Sequence, residues 1–392
     1  MGKNKRIGLQ SLVVQAFIVV VLGIAIYVFI GHAKENAKGD DGNIHLSLDE
    51  QVNEIVSSMS TTEKIGQLII IGVQGTKADE NSLYVLHQFH YGGIILFDRN
   101  MENREQTKVL VESLQTGAEE KLPLFIAVDE EGGLVVRGRD FLATPPSQEQ
   151  VGRQGDPALA RSLAKDMACE LKSMGINVNF APVADVGSGD GRSYSKEPYE
   201  TLKFVKAAGE GYKEGGIFYA LKHFPGIGRG MIDSHEEISE IEASESDLKK
   251  TDLVPFREML NDTEKGKGLD YMVMVGHLKY PALDPAHPAS LSEKIISGLL
   301  RKEMGYEGLI ITDDLEMGAI SNHQTFRQAG PAAILAGADI VLVCHEYEHA
   351  EEAYMGIYDA VKSGQISEGR LNESVKRIVK AKIRHGLKPI EK

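Results

Sequence analysis

Leu309-Ile310-Ile311-Thr312-Asp313-Asp314 is a short apolar run that ends abruptly in two carboxylates. A continuous apolar stretch of this length suits a strand buried on both faces, as strands of parallel sheets are. Seven other runs have the same character: Gly66–Val73, Gly92–Phe97, Leu124–Asp129, Val178–Val186, Ala220–Phe224, Tyr271–His277 and Asp339–Val343. Between them lie longer amphipathic stretches that read as helices, among them Ala158–Met174, Tyr199–Glu214, Asp247–Leu260 and Ser292–Met304. Eight strands alternating with helices predict an α/β fold, a single (β/α)8 TIM-type barrel over residues 48–392. A doubly wound open sheet would want a glycine-rich phosphate turn after its first strand. Val73-Gln74-Gly75-Thr76 does not supply that GxGxxG spacing.

Polar residues gather where the runs stop. Asp129 closes the third, Asp185 and Arg192 lie at and after the fourth, and Lys222 and His223 end the fifth. His277 ends the sixth, and Asp313 and Asp314 end the seventh. In a barrel all these ends share the C-terminal face, where active sites are built. Water at strand ends accounts for any one charged residue there, but poorly for so many together. Asp313 is rigidly held at the mouth, as a nucleophile must be. Asp314 is its rival, because adjacent strand residues point opposite ways. No further carboxylates at fixed spacing accompany the pair, so no metal site is expected.

Two loops add candidates. Lys222-His223-Phe224-Pro225-Gly226-Ile227-Gly228 leaves a buried strand and leads to Asp233-Ser234-His235. Its proline and glycines predict a mobile loop. Asp233 is close enough in sequence to His235 to orient an imidazole and stabilise its charged form. In Asp129-Glu130-Glu131-Gly132-Gly133 through Arg137, the glycines would let backbone approach a ligand closely. Asp129 and Arg137 could then bracket a ligand from two sides.

The chain is acidic, with 57 Asp and Glu against 43 Lys and Arg and a formal net charge of −14. Its basic N-terminus (Lys3, Lys5, Arg6, no acidic residue before Glu35) leaves the remainder more acidic still. Such a body repels nucleic acid and favours a neutral or cationic substrate. Cys169 and Cys344, far apart in apolar periodic segments, are expected to be buried free thiols. Leu12–Gly31 is an apolar run of about 20 residues, enough to cross a hydrocarbon core as a helix. With basic residues before it, the positive-inside rule predicts a cytoplasmic segment over residues 1–11 and a transmembrane signal anchor over 12–31. A polar linker over 32–47 would lead to an extracytoplasmic barrel, secreted if the signal is cleaved.

The motifs DEEGGxVxR, NFAPVADV, GRSY, KHFPGxG, DSH, MVGHLKYPALDPAHPASLS and ITDDLEM stand in this order between about Leu48 and Leu387. The chain thereby resembles glycoside hydrolase family 3, and within it the bacterial β-N-acetylglucosaminidase branch, built on one barrel. The resemblance implies a retaining hydrolase that removes terminal β-linked N-acetylglucosamine from cell-wall glycans or muropeptides without cofactor or metal. It implies Asp313 as nucleophile, His235 as acid/base and Asp233 as the partner of that imidazole. Sugar contacts map to Asp129, Arg137, Arg192, Lys222 and His223. Two departures fall in the catalytic loop: Ile227 stands where the family usually has His, and Glu-Glu-Ile-Ser follows DSH. The same fold could also serve a β-glucosidase, a β-xylosidase, a glycoside phosphorylase or a non-catalytic glycan-binding protein of the envelope.

Overall fold

A computed structural model describes residues 46–118, 122–230, 239–261 and 268–388. Eight parallel strands close into a barrel in chain order: β1 (Ile69–Gly72), β2 (Gly93–Leu96), β3 (Phe125–Val128), β4 (Val178–Asn179), β5 (Phe218–Phe224), β6 (Met272–Val275), β7 (Ile310–Asp314) and β8 (Ile340–Val343). β8 pairs back onto β1. Nearly every strand residue is buried, Asp313 being the half-buried exception. Each strand has barrel interior on one face and helices on the other, which is why the runs are apolar without alternation.

Three expectations need correction. Only Val178 and Asn179 of the fourth run form a regular strand; Pro182 has no N–H to give a ladder. The chain still continues to the mouth, where Val183 bridges Lys222 and Ala184 N–H donates to the Lys222 carbonyl at 2.6 Å. The expected helix over Asp247–Leu260 is two helices, Glu245–Lys250 and Val254–Asn261. Between them, buried Asp252 accepts Arg229 Nε at 2.9 Å. Cys169 is exposed on the helix Pro157–Ser173, while Cys344 is buried just after β8. A short antiparallel ribbon after β6, Lys279–Tyr280 with Asp284–Pro288, has no counterpart in the strand runs read from the sequence.

Two register shifts shape the mouth. Between β5 and β6, Leu221 faces Val273 and Phe224 faces Val275, so one extra residue lies within Lys222–His223. Between β7 and β8, Ile311 faces Ile340 and Asp314 faces Leu342, so another lies within Thr312–Asp313. Both are one-residue bulges, devices that re-aim side chains beside functional sites.

The opposite end is closed by the C-terminal helix Glu368–Arg384. His385 stacks on Phe218 with centroids 4.0 Å apart, and buried Lys382 donates to Gln67 Oε1 at 2.8 Å. Buried Asp339, just before β8, accepts Arg377 Nη1 and Ser374 Oγ at 3.0 and 2.7 Å and is ion-paired with Arg301. That carboxylate braces β8 to two helices.

The proposed transmembrane helix, Leu12–Gly31, lies outside the described residues. No helix among the described residues is long and apolar enough to cross a membrane.

Candidate active site

The mouth is organised around Lys222. Its ammonium sits 2.6 Å from Asp129 Oδ1 and 2.7 Å from Glu131 Oε1, joining the end of β5 to the end of β3. Glu131 is gripped on both oxygens by Arg192, at 2.8 Å each. Burial alone would raise the Glu131 carboxyl's pKa, but Lys222 and Arg192 hold it well below the usual carboxylate range. Burial alone would lower the Lys222 ammonium, and Asp129 and Glu131 keep it raised instead. Arg137 Nη2 lies 3.6 Å from Asp129 Oδ2, so the two residues expected to flank a sugar also face each other.

His223 points to the β4 side. Its Nδ1 meets Asp185 Oδ2 at 2.8 Å, and its Nε2 lies 3.4 Å from Arg192 Nη2. The bulge lets Lys222 and His223, although adjacent, both serve the mouth.

Asp313 and Asp314 turn apart. Asp314 Oδ1 accepts the backbone N–H groups of Glu316 and Cys344 at 3.1 and 3.2 Å, and its Oδ2 lies 3.3 Å from His345 Nε2. Its side chain is thereby spent joining β7 to the residues after β8. Asp313 remains the strand-seven carboxylate for the pocket, with Oδ1 accepting the Asp314 N–H at 2.9 Å. Burial pushes its pKa up, but the His223 and His277 imidazoles, the Asp314 N–H and Lys222 outweigh that and lower it. Asp313 is therefore ionised at neutral pH. His277 is buried, which lowers its own pKa. Its Nε2–H donates to the Asp314 carbonyl and its Nδ1 accepts Ser290 Oγ–H, both at 2.7 Å. The carbonyl can only accept, which fixes this tautomer.

The expected loops are tied to the body of the protein where they are described. Gly132 and Gly133 have positive φ, but a Cβ on them would strike Pro146 O at 2.7 Å and Ser147 Cβ at 2.5 Å. Their openness serves the protein's own chain, not a ligand. The root of the KHFPGIG loop is pinned as well. Ile227 N–H donates to Asp185 Oδ1 at 2.8 Å and Tyr280 O–H to the Gly226 carbonyl at 2.8 Å. A Cβ on Gly228 would lie 2.1 Å from Val186 O, so this contact admits glycine alone. Asp233 and His235 lie outside the described residues. Among the described residues no three His, Cys, Asp or Glu side chains are placed to hold a metal ion.

Glu131, Asp185 and His277 thus join the candidate residues. In the sequence Asp185 and His277 stand out only as polar strand ends, and nothing marks Glu131 within its glycine motif.

A closed parallel barrel carrying an ionised carboxylate, imidazoles and a buried ammonium at its C-terminal mouth places this protein among the (β/α)8-barrel enzymes. The chain belongs to glycosyl hydrolase family 3: residues 60–381 match the family's N-terminal domain. It is 34% identical over 329 residues to beta-hexosaminidase A of Pseudoalteromonas piscicida, covering 76% of this chain and 54% of that protein. It is 33% identical over 322 residues to a beta-hexosaminidase of Nitrosomonas eutropha, covering 78% of this chain and 90% of the relative. A solved family 3 beta-N-acetylglucosaminidase from a Paenibacillus species superposes with a TM-score of 0.80 at 36% identity, covering 84% of this chain and 63% of that one. The chain therefore spans little more than half of the first relative and under two thirds of the structural one.

Proposed function

We propose that this protein is a retaining β-N-acetylglucosaminidase. It removes terminal β-linked N-acetylglucosamine from cell-wall glycans or muropeptides, with Asp313 as nucleophile. The carrying observation is the Asp313 carboxylate, half-buried at the end of β7 at the C-terminal mouth, while its neighbour Asp314 is spent on Glu316 and Cys344. Two relatives that bear the hexosaminidase name and a solved β-N-acetylglucosaminidase support the choice of sugar.

In this reading Asp313 attacks the anomeric carbon, the glycosidic bond breaks, and His235 protonates the departing oxygen. His235, oriented by Asp233, then takes a proton from the water that releases the sugar from Asp313. An imidazole has an ordinary pKa near 6.5, so it can act in both directions near neutral pH. Asp129, Arg137, Arg192, Lys222 and His223 hold the sugar's hydroxyls, the cations exchanging part of their carboxylate contacts for them. Leu12–Gly31 anchors the chain in the cell membrane with the barrel outside.

The test is release of nitrophenol from a nitrophenyl β-N-acetylglucosaminide by the full chain in detergent, beside the glucoside and xyloside. Preference for either of those, or sugar phosphate as the product in phosphate buffer, would displace the reading. For the anchor, the barrel should be cut by external protease in cells stripped of their wall. Full protection there would contradict the orientation.

A further inference from the structure

Asp185 is buried behind the pocket, yet three donors converge on its carboxylate. Oδ1 accepts the backbone N–H of His223 at 3.1 Å and that of Ile227 at 2.8 Å; Oδ2 accepts the His223 ring at Nδ1 at 2.8 Å. A carboxylate can only accept, so the Nδ1 proton belongs to the imidazole. At the other end of the ring, Arg192 Nη2 lies 3.4 Å from Nε2. A guanidinium can only donate, so Nε2 turns a lone pair towards the pocket. Arg192 occupies that direction only weakly, because its stronger bonds go to Glu131 at 2.8 Å.

We propose that Asp185 is a positioning residue that fixes His223 in the Nδ1–H form, so that Nε2 accepts a hydrogen bond from a hydroxyl of the bound sugar. This rests on the reading of the pocket as a sugar site. It adds a direction to the contact: His223 selects a donor on the substrate at that point. A sugar bearing a methoxy group or fluorine there instead of a hydroxyl has no hydrogen to give.

The two backbone donors make the proposal sharp. In Asp185→Asn they would hold the amide oxygen at the Oδ1 position, placing the NH2 group against His223 Nδ1. Two donors would then oppose each other unless the ring proton moved to Nε2. There it would face Arg192 and offer the sugar a donor in place of an acceptor. The same substitution inverts the tautomer of a triad histidine while leaving its geometry intact.

The measurement is the ring ¹⁵N spectrum of histidine-labelled full chain, with His223 assigned by its loss in His223→Gln. The wild type should show protonated Nδ1 and unprotonated Nε2, and Asp185→Asn the reverse. Asp185→Asn should also lose at least about a hundredfold in kcat/KM on the β-N-acetylglucosaminide. In a His223→Ala background the same change should matter less than about threefold, since Asp185 acts through the ring. An Nε2–H ring in the wild type overturns the proposal even if Asp185→Asn does not fold. So does a full additional loss in the His223→Ala background. If no β-N-acetylglucosaminide is cleaved by the wild type, the sugar reading fails, whereas the ring spectrum still decides the tautomer.

Discussion

Lys222 and Glu131 meet at 2.7 Å with side chains 3% and 2% exposed, an ion pair almost wholly withdrawn from water at the base of the pocket. Such a pair adds little net stability over apolar packing, but breaking it strands a buried charge. Glu131→Ala would leave Lys222 with Asp129 alone and Arg192 without its bidentate partner. We expect a loss of about 3–5 kcal/mol in denaturant unfolding. Activity should collapse in any protein that still folds. A change below 1 kcal/mol would show that water or rearrangement replaces the carboxylate.

Asp313→Asn should abolish turnover with unfolding changed by no more than about 1 kcal/mol, because among the described residues its side chain makes a single hydrogen bond, to the Asp314 N–H, and braces no second element. A fluoro-sugar trap should label Asp313; a label on Asp314 would reverse the assignment. The pH profile gives a second check. The Asp313 pKa is lowered from 3.8, so the carboxylate persists as pH falls to that value and protonates only below it. Loss of kcat/KM attributable to this group must therefore lie below pH 3.8.

If His235 protonates the leaving oxygen, its removal should matter according to how much help that oxygen needs. His235→Ala should be severe on a disaccharide and mild for glycosylation by a dinitrophenyl glycoside. With the aryl substrate a glycosyl-enzyme should accumulate, and added azide should restore turnover. Equal losses on both substrates without azide rescue would take His235 off the catalytic list.

Glu130 yields a prediction about stability. Its Oε1 accepts the N–H groups of Arg137 and Gly138 at 2.7 Å each, pinning the segment that carries Arg137. Burial nonetheless raises its pKa from 4.5 to about 6. Because the folded value is the higher one, its protonated form favours folding at low pH. That advantage fades as pH rises from 4.5 through about 6. Glu130→Gln keeps the acceptor and removes the charge. It should stabilise the protein by about 2 kcal/mol above pH 7 and leave it nearly unchanged at pH 4. Equal effects at both pH values would place the cause elsewhere.

Asp339 lies at the other end of the barrel, away from the reacting groups. Asp339→Ala leaves Arg301 and Arg377 without their shared carboxylate. Unfolding free energy should fall by about 3–5 kcal/mol. At a temperature where the variant is folded, KM should be unchanged. A raised KM with normal stability would contradict this purely structural role.

The barrel is legible because strands buried on both faces need apolar runs, and LIITDD or GGIILF cannot be mistaken for alternating surface strands. The strand-end polar residues follow from the same geometry. Their pairing does not. Glu131 with Lys222, Asp185 with His223 and His277 with Ser290 are partnerships formed only when the chain closes on itself. Bulges are hidden too, since an extra residue in a ladder leaves no mark on composition. Cys169 stands beside the apolar stripe of an amphipathic helix, next to buried Met167 and Ala168, but falls on its exposed face. Gly132 and Gly133 suggest room for a ligand only because sequence does not say what fills the space left by a missing side chain, here Pro146 and Ser147.

The two bulges have a consequence for how this barrel can change. His223 and Asp313 belong to no paired register with their neighbouring strands, whereas residues to either side of each do. The scaffold is fastened around these positions, not through them. Replacing either side chain removes its chemistry without unpicking the strand pairing that closes the ring. Selection could therefore retool the mouth, even to the point of losing catalysis, while the barrel beneath it continued to fold.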